Sequence, residues 1–200
     1  MRKKVSCNAQ FTPFIDSFED NAAVWPAGGA PKWIQLVDGM YEMRIEGANQ
    51  VVSSVPFNGE SYELFSYAAE IIQTDGSLET GSGIVFYYKD SLNYHVFGVN
   101  GLGQWSIWEL RDGNWQALES ENGSAWIASS AVSSLNQTNA LRVETRPDDI
   151  DLFVNEQFLA RVPFADAAER SGMIGFYLAT SPEASTTPSV VKFDNVVVTP

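Results

Sequence analysis

The run from Gly83 to Leu118, GIVFYYKDSLNYHVFGVNGLGQWSIWELRDGNWQAL, breaks into four short apolar segments. These are Gly83–Lys89, Tyr94–Val99, Trp105–Leu110 and Trp115–Leu118, each rich in aromatic or β-branched side chains. Such residues favour the pleated surface of a sheet, and the segments are too short for amphipathic helices. Asn100-Gly101 and Asp112-Gly113 separate three of them. Both dipeptides tolerate the positive φ that tight antiparallel turns demand. Alternation within the segments sets Ile84, Phe86 and Tyr88 against Val85 and Tyr87, and Trp105 and Ile107 against Ser106 and Trp108. One member of each division faces a core.

The same punctuation continues outward in both directions. Asp38-Gly39, Asn58-Gly59, Asp75-Gly76 and Asn122-Gly123 mark further turns. Between them, strands are expected near Phe14–Phe18, Trp33–Val37, Tyr41–Glu46, Val51–Ser54 and Tyr62–Gln73. Later strands are expected near Ala140–Arg146, Asp149–Val154, Gln157–Val162, Met173–Ala179 and Val190–Val198. Phe164–Arg170 and Ala128–Leu135 could each form one helical turn. Many short strands with no long helical pattern predict an all-β, two-sheet antiparallel jelly-roll sandwich. Residues 11–200 read as one such domain, and 1–10 as a disordered or trimmed tail.

Composition narrows the function classes. Hydrophobic residues make up 44% of the chain, enough to fill a core. The formal charge of −13, from 25 acidic against 12 basic residues, argues against nucleic acid as a partner, because phosphate binding needs clustered Lys and Arg. No apolar run is long enough to span a bilayer, so membrane insertion is not expected. Cys7 is the only cysteine, which excludes an intramolecular disulfide. Met1-Arg2-Lys3-Lys4 resembles the basic start of a secretory signal, but no apolar segment follows it.

The order of motifs carries a resemblance. Phe14-Ile15-Asp16-Ser17-Phe18 with Trp25-Pro26 opens the series, followed by Asp38-Gly39-Met40-Tyr41, Gly83–Tyr88 and Asn93–Phe97. Asp112–Trp115, Asn139–Val143, Leu152–Asn155, Gly172–Phe176 and Lys192–Val196 complete it. Over residues 11–198 this resembles the concanavalin A-like lectin/glucanase superfamily, in its bacterial laminin G-like and 3-keto-disaccharide hydrolase-like branch. The resemblance implies the sandwich fold and an extracellular or cell-surface setting. It leaves function open, because the fold hosts lectins, glycosidases and adhesion modules. It also implies a structural calcium ion joining the chain ends, with Asp16 or Asp20, Gly47 and Asp194 as the matching oxygen donors. Asp194 would serve equally as a turn cap.

The catalytic branch carries Glu-x-Asp-x-x-Glu, whose alternating carboxylates share one strand face. No such run occurs here. His95 alone cannot complete a histidine zinc site, and it is accompanied by no Gly-x-Ser-x-Gly elbow. The expectation is therefore a non-catalytic module binding carbohydrate or a glycan-bearing surface, through aromatic rings on one sheet. Tyr87, His95, Trp108 and Tyr177 are the candidate ligand-binding residues. The same rings also suit half-buried strand positions without any ligand. Trp25, Trp33, Trp115 and Trp126 read as packing residues near turns. The alternatives are a self-associating or adhesive module with a protein partner, and a glycoside-active enzyme of the keto-disaccharide type.

Overall fold

In the computed structural model, which describes residues 13–29, 32–164, 170–182 and 187–200, every regular element is a β-strand. The expected tail, residues 1–10, lies outside the described residues, as does most of Phe164–Arg170. The strands are β1 Phe14–Asp16, β2 Lys32–Val37, β3 Met40–Ile45, β4 Val51–Ser54, β5 Ser66–Asp75, β6 Gly81–Asp90, β7 Asn93–Asn100 and β8 Gln104–Arg111. They continue as β9 Asn114–Ala117, β10 Ile127–Ala128, β11 Asn139–Thr145, β12 Asp149–Val154, β13 Gln157–Pro163, β14 Met173–Ala179 and β15 Ser189–Thr199.

Two antiparallel sheets form. The eight-stranded sheet runs β13-β12-β11-β5-β15-β3-β2, with β1 also on β15. The seven-stranded sheet runs β10-β8-β7-β6-β14-β4, with β9 on β8. The long last strand, β15, is held at one end by β3 and at the other by β1, where Asp16 pairs with Val196. The fold is the two-sheet jelly-roll sandwich that the turn spacing predicts.

Turn chemistry closes the hairpins. Asp38 and Gly39 take φ of 53° and 71°, and Asp112 and Gly113 take 49° and 76°. Positive φ at both central residues is the geometry whose twist matches two antiparallel strands. Asn155 and Glu156 do the same at 50° and 63° between β12 and β13. Ala128–Leu135 is turn and bend after its first residue, so the helical turn expected there does not form. Tyr62, expected to begin a strand, makes only an isolated bridge to Gly172, and β5 starts at Ser66.

Alternation builds the core. Tyr41, Met43 and Ile45 of β3 and Tyr67, Ala69 and Ile71 of β5 face inward and are almost wholly buried. Ile84, Phe97, Ile107, Phe176 and Leu178 meet them from the other sheet. Phe176 stacks on Phe193 at 4.2 Å and on Trp25 at 4.8 Å between ring centroids. Each large side chain withdrawn in this way contributes roughly 1.5–3 kcal/mol. The Tyr67 hydroxyl donates to the Gly175 carbonyl at 2.8 Å, so a buried polar group also ties one sheet to the other.

Alternation fails at one point. Phe86 and Tyr87 are neighbours, yet both side chains are buried with the core. Tyr87 takes φ of 50°, and the register of β6 against both β7 and β14 shifts around it. The extra residue of a bulge resets the in–out parity. Gly172 lies against this bulge so closely that a Cβ would stand 2.3 Å from the Tyr87 carbonyl carbon.

Candidate functional site

The outer face of the seven-stranded sheet is aromatic. Once the core-facing set of each strand is fixed, Tyr94 and Val96 of β7, Trp108 and Leu110 of β8, and Val85 of β6 are left on the other side. Val85, Tyr94, Val96 and Leu110 form a second buried cluster there, with Tyr88 and Tyr177 packed on it. Trp115 reaches the same face because β9 pairs with β8 and sets it opposite Leu110.

Trp115 is the centre of this surface. Its ring stands 5.6 Å from Tyr94, 6.1 Å from Tyr177 and 6.4 Å from Trp108 between centroids, edge-on in each case. It is 38% exposed. Tyr88 extends the row by lying 5.5 Å from Tyr94. Edge-to-face pairs are mutually attractive, so the rings are held in place before any ligand arrives. Burial pushes the Tyr177 hydroxyl above its ordinary pKa, with Tyr94 adding to the effect. Burial does the same to Tyr94, opposed by its hydrogen bond to Ser53. Both hydroxyls therefore stay neutral, able to donate and to accept.

The strand row beside these rings is built of small residues and is buried. Cross-strand pairing lines up Ser106, Gly98, Gly83 and Tyr177 across β8, β7, β6 and β14. The next row holds Trp108, Val96, Val85 and Gly175. Neither row contains an acidic or a basic side chain. The surface can stack against the apolar faces of a ring-shaped ligand and hydrogen-bond it at the edges. Its two central rows hold no facing carboxylate pair of the kind that glycoside hydrolysis uses.

Of the four expected ligand-binding residues, Trp108 and Tyr177 lie on this face and half-buried. Tyr87 and His95 do not: they are 1% and 2% exposed, on the core side of the same sheet. The bulge turns Tyr87 inward, and His95 has the parity of Phe97 and Val99. There Tyr87 stacks on Phe164 at 5.5 Å, and His95 meets Phe164 at 4.9 Å. The Tyr87 hydroxyl donates to the Glu63 carbonyl at 2.8 Å. The His95 Nε2 stands 3.4 Å from Glu109 Oε1, at an angle that makes no hydrogen bond. Arg111 donates to the same oxygen from Nη2 at 2.6 Å and from Nε at 3.1 Å. With His95 and Arg111 beside it, the Glu109 carboxyl is held down at about 2 despite its burial.

Trp115 packs after a turn as expected, against three rings, but it also stays 38% exposed at the centre of this face. The signal was available. Trp115 follows the Asp112-Gly113 turn at the spacing that pairs it with Leu110, on the face opposite Trp105 and Ile107. Trp25, by contrast, is buried as expected, with its Nε1 donating to Asp16 Oδ2 at 2.8 Å.

Of the expected calcium donors, Gly47 stands apart from the others. Asp16 and Asp194 come to adjacent strands, but Asp16 already accepts from Phe18 N and from Trp25 Nε1. Asp20 is exposed and caps the Ala22 amide. Gly47 follows β3 at the end where Ile45 pairs with Ser189, five residues along β15 from Asp194. At the rise of an extended strand that separates it from Asp194 by about 20 Å. Burial, followed by the charges of Glu70, Glu19 and Asp16, raises the Asp194 carboxyl. A further hollow of about 440 Å³ lies beside Asp16, Glu19, Asp20 and Glu60, but it begins at Pro13, the first described residue, and no site is placed there.

No family model and no curated protein matches the sequence significantly. Solved structures do match in shape. The carbohydrate-binding module CBM66 from Bacillus subtilis superposes with a TM-score of 0.66 at 13% identity, over 88% of this chain and 95% of that one. A Bacillus licheniformis β-glucanase does so with 0.63 at 12% identity, over 96% and 99%. A putative glycosyl hydrolase from Parabacteroides distasonis gives 0.57 at 13%, over 94% and 99%. These neighbours include both a binding module and hydrolases, and at such identities the likeness concerns the fold alone. The two-sheet topology and these superpositions together make the chain a two-sheet antiparallel jelly-roll sandwich.

Proposed function

We propose that the protein is a non-catalytic carbohydrate-binding module whose ligand lies on the outer face of the seven-stranded sheet. The observation that carries this reading is the exposed Trp115 ring, braced edge-on by Tyr94, Trp108 and Tyr177 beside a floor of Gly83, Gly98 and Ser106. Aromatic rings receive the C–H faces of a sugar, while tyrosine hydroxyls offer hydrogen bonds at the rim. The two central rows of this face carry no carboxylate, which favours holding a glycan over cleaving it. The binding-module neighbour supports the same reading.

The test is a glycan array probed with the wild-type protein and with Trp115→Ala. Binding to a defined sugar class is expected, and its loss in the variant, while the melting temperature stays within a few degrees. A blank array from folded protein, together with concentration-dependent assembly in light scattering, would instead assign the aromatic face to a protein partner.

A further inference from the structure

Asn-Gly pairs occur at Asn58, Asn100 and Asn122. In such a pair the glycine nitrogen can attack the asparagine side-chain carbonyl carbon, because no Cβ on the following residue stands in the way. The fold treats the three pairs differently. Asn100 is buried, its Nδ2 donates to Gln104 Oε1 at 2.8 Å, and its Oδ1 accepts from the Leu102 and Gln104 amides at 3.1 Å. Gly101 is packed so tightly that a Cβ would stand 2.8 Å from the Leu78 side chain. At Asn58 the side chain is exposed, but the Gly59 amide is engaged, donating to the Pro56 carbonyl at 3.2 Å. A Cβ on Gly59 would stand 3.1 Å from Pro56 and 3.3 Å from Met173.

Asn122 has none of these restraints. It is exposed, and among the described residues its side chain makes no hydrogen bond. Nothing lies within 4 Å of the place where a Cβ on Gly123 would be. Asn122 and Gly123 are the central residues of a tight turn, with φ of 51° and 81°. Glu121 and Ser124 close that turn by exchanging both backbone hydrogen bonds at 2.9 Å, which leaves the Gly123 amide unused by it.

We propose that Asn122 is a site of spontaneous self-modification, with solvent water as its co-reactant. The Gly123 nitrogen bonds to the Asn122 Cγ, the Cγ–Nδ2 bond breaks, and the side-chain amide leaves as ammonia together with the Gly123 proton. Water then opens the five-membered imide at either carbonyl, giving aspartate or isoaspartate. One water enters and one ammonia leaves; nothing is oxidised or reduced. In the isoaspartyl product the main chain runs through Cβ and Cγ, which adds an atom to a turn whose closure fits two ordinary residues. Ser124 carries the effect onward. Its Oγ accepts from the Trp126 amide at 3.1 Å and donates to the Trp126 carbonyl at 2.9 Å. The Trp126 ring covers Gly81 beside Tyr177, so isoaspartate at Asn122 loosens the segment that lies over this end of the seven-stranded sheet.

The experiment incubates the folded full chain in mildly alkaline buffer and follows each Asn-Gly pair by peptide mapping, scoring the amide-to-acid mass change and isoaspartate. Asn122 should convert first, at least about tenfold faster than Asn100, whose three side-chain hydrogen bonds have to break. It should also outpace Asn58. In chemically denatured chain the three rates should converge, because the selectivity belongs to the fold. The indole N–H signal of Trp126 should shift in step with conversion, while that of buried Trp25 stays in place. Freshly purified Asn122→Asp, which adds the charge without the extra main-chain atom, should keep the Trp126 signal of the unconverted protein. An intact Asn122, or equal rates at the three pairs in the folded chain, would overturn the site. An unmoved Trp126 signal in fully converted protein would overturn its link to the sheet.

Discussion

Tyr87 shows how one residue can occupy a conformation that its type disfavours. A positive φ at a bulky side chain costs on the order of 1–3 kcal/mol and persists only where the surroundings enforce it. Here Phe65, Phe164 and His95 surround the ring, and the hydroxyl is bonded to the Glu63 carbonyl. Tyr87→Ala is therefore expected to lose about 3–5 kcal/mol in urea denaturation, as other buried aromatics do. A variant of unchanged stability would contradict that placement. Glu109 supplies a second prediction at this scale. Its carboxyl is held at about 2 in the folded protein against an ordinary 4.5. A depressed acid pKa means that the folded state binds fewer protons, so its contribution is full above about 4.5 and is lost as pH falls toward 2. Acid unfolding of Glu109→Gln should be flatter than wild type across that window. Identical slopes would show that the carboxylate adds nothing. Period two could divide Tyr87 from Phe86 in the sequence, but it could not show the bulge that places both rings inside. For His95 alternation leaves two possible faces, and only the pairing of β7 with β6 and β8 chooses between them. For Trp108 alternation separates it from Trp105 and Ile107, and the burial of those two places it on the outer face of β8.

The pairing of the first and last strands poses a problem of charge. β1 and the end of β15 bring Asp16 near Asp194, with Glu19 and Glu70 in electrostatic range of the same carboxyl. Burial is the larger cause of its raised pKa, and these like charges add to it. The sign here is the reverse of Glu109. A raised acid pKa means that the folded state holds its proton more tightly, so ionisation weakens folding as pH rises through the interval above the unfolded value. Asp194→Asn should raise the melting temperature at pH 7, and the gain should disappear near pH 3, where the wild-type carboxyl is protonated too. The Asp194 Oδ1 accepts from the Asn195 amide, a bond that the Asn side chain preserves. No gain at pH 7 would mean that the like charges are screened or compensated. The neighbourhood of Asp16 and Asp194 was readable from the motifs at the two chain ends. The misplacement of Gly47 was not, because it depends on which end of β15 pairs with β3, a register that no local pattern records.

Across the whole molecule, turn spacing and apolar alternation carried the architecture almost unaided. Asn-Gly and Asp-Gly pairs fix where strands stop, and each strand buries one face whatever its partners are. What they could not carry is which strands adjoin. Trp115, Trp108 and Tyr177 come from β9, β8 and β14, and they share a surface only because β7 and β6 lie between β8 and β14. The aromatic face is thus a product of strand order, invisible in any single segment. The indole N–H signals of the six tryptophans read that surface directly in solution. With isotope-labelled protein and the glycan selected on the array, the signals of Trp115 and Trp108 should shift on titration and those of buried Trp25 and Trp105 should stay in place. Stationary Trp115 and Trp108 signals under saturating glycan would contradict the assignment of this face as the binding surface.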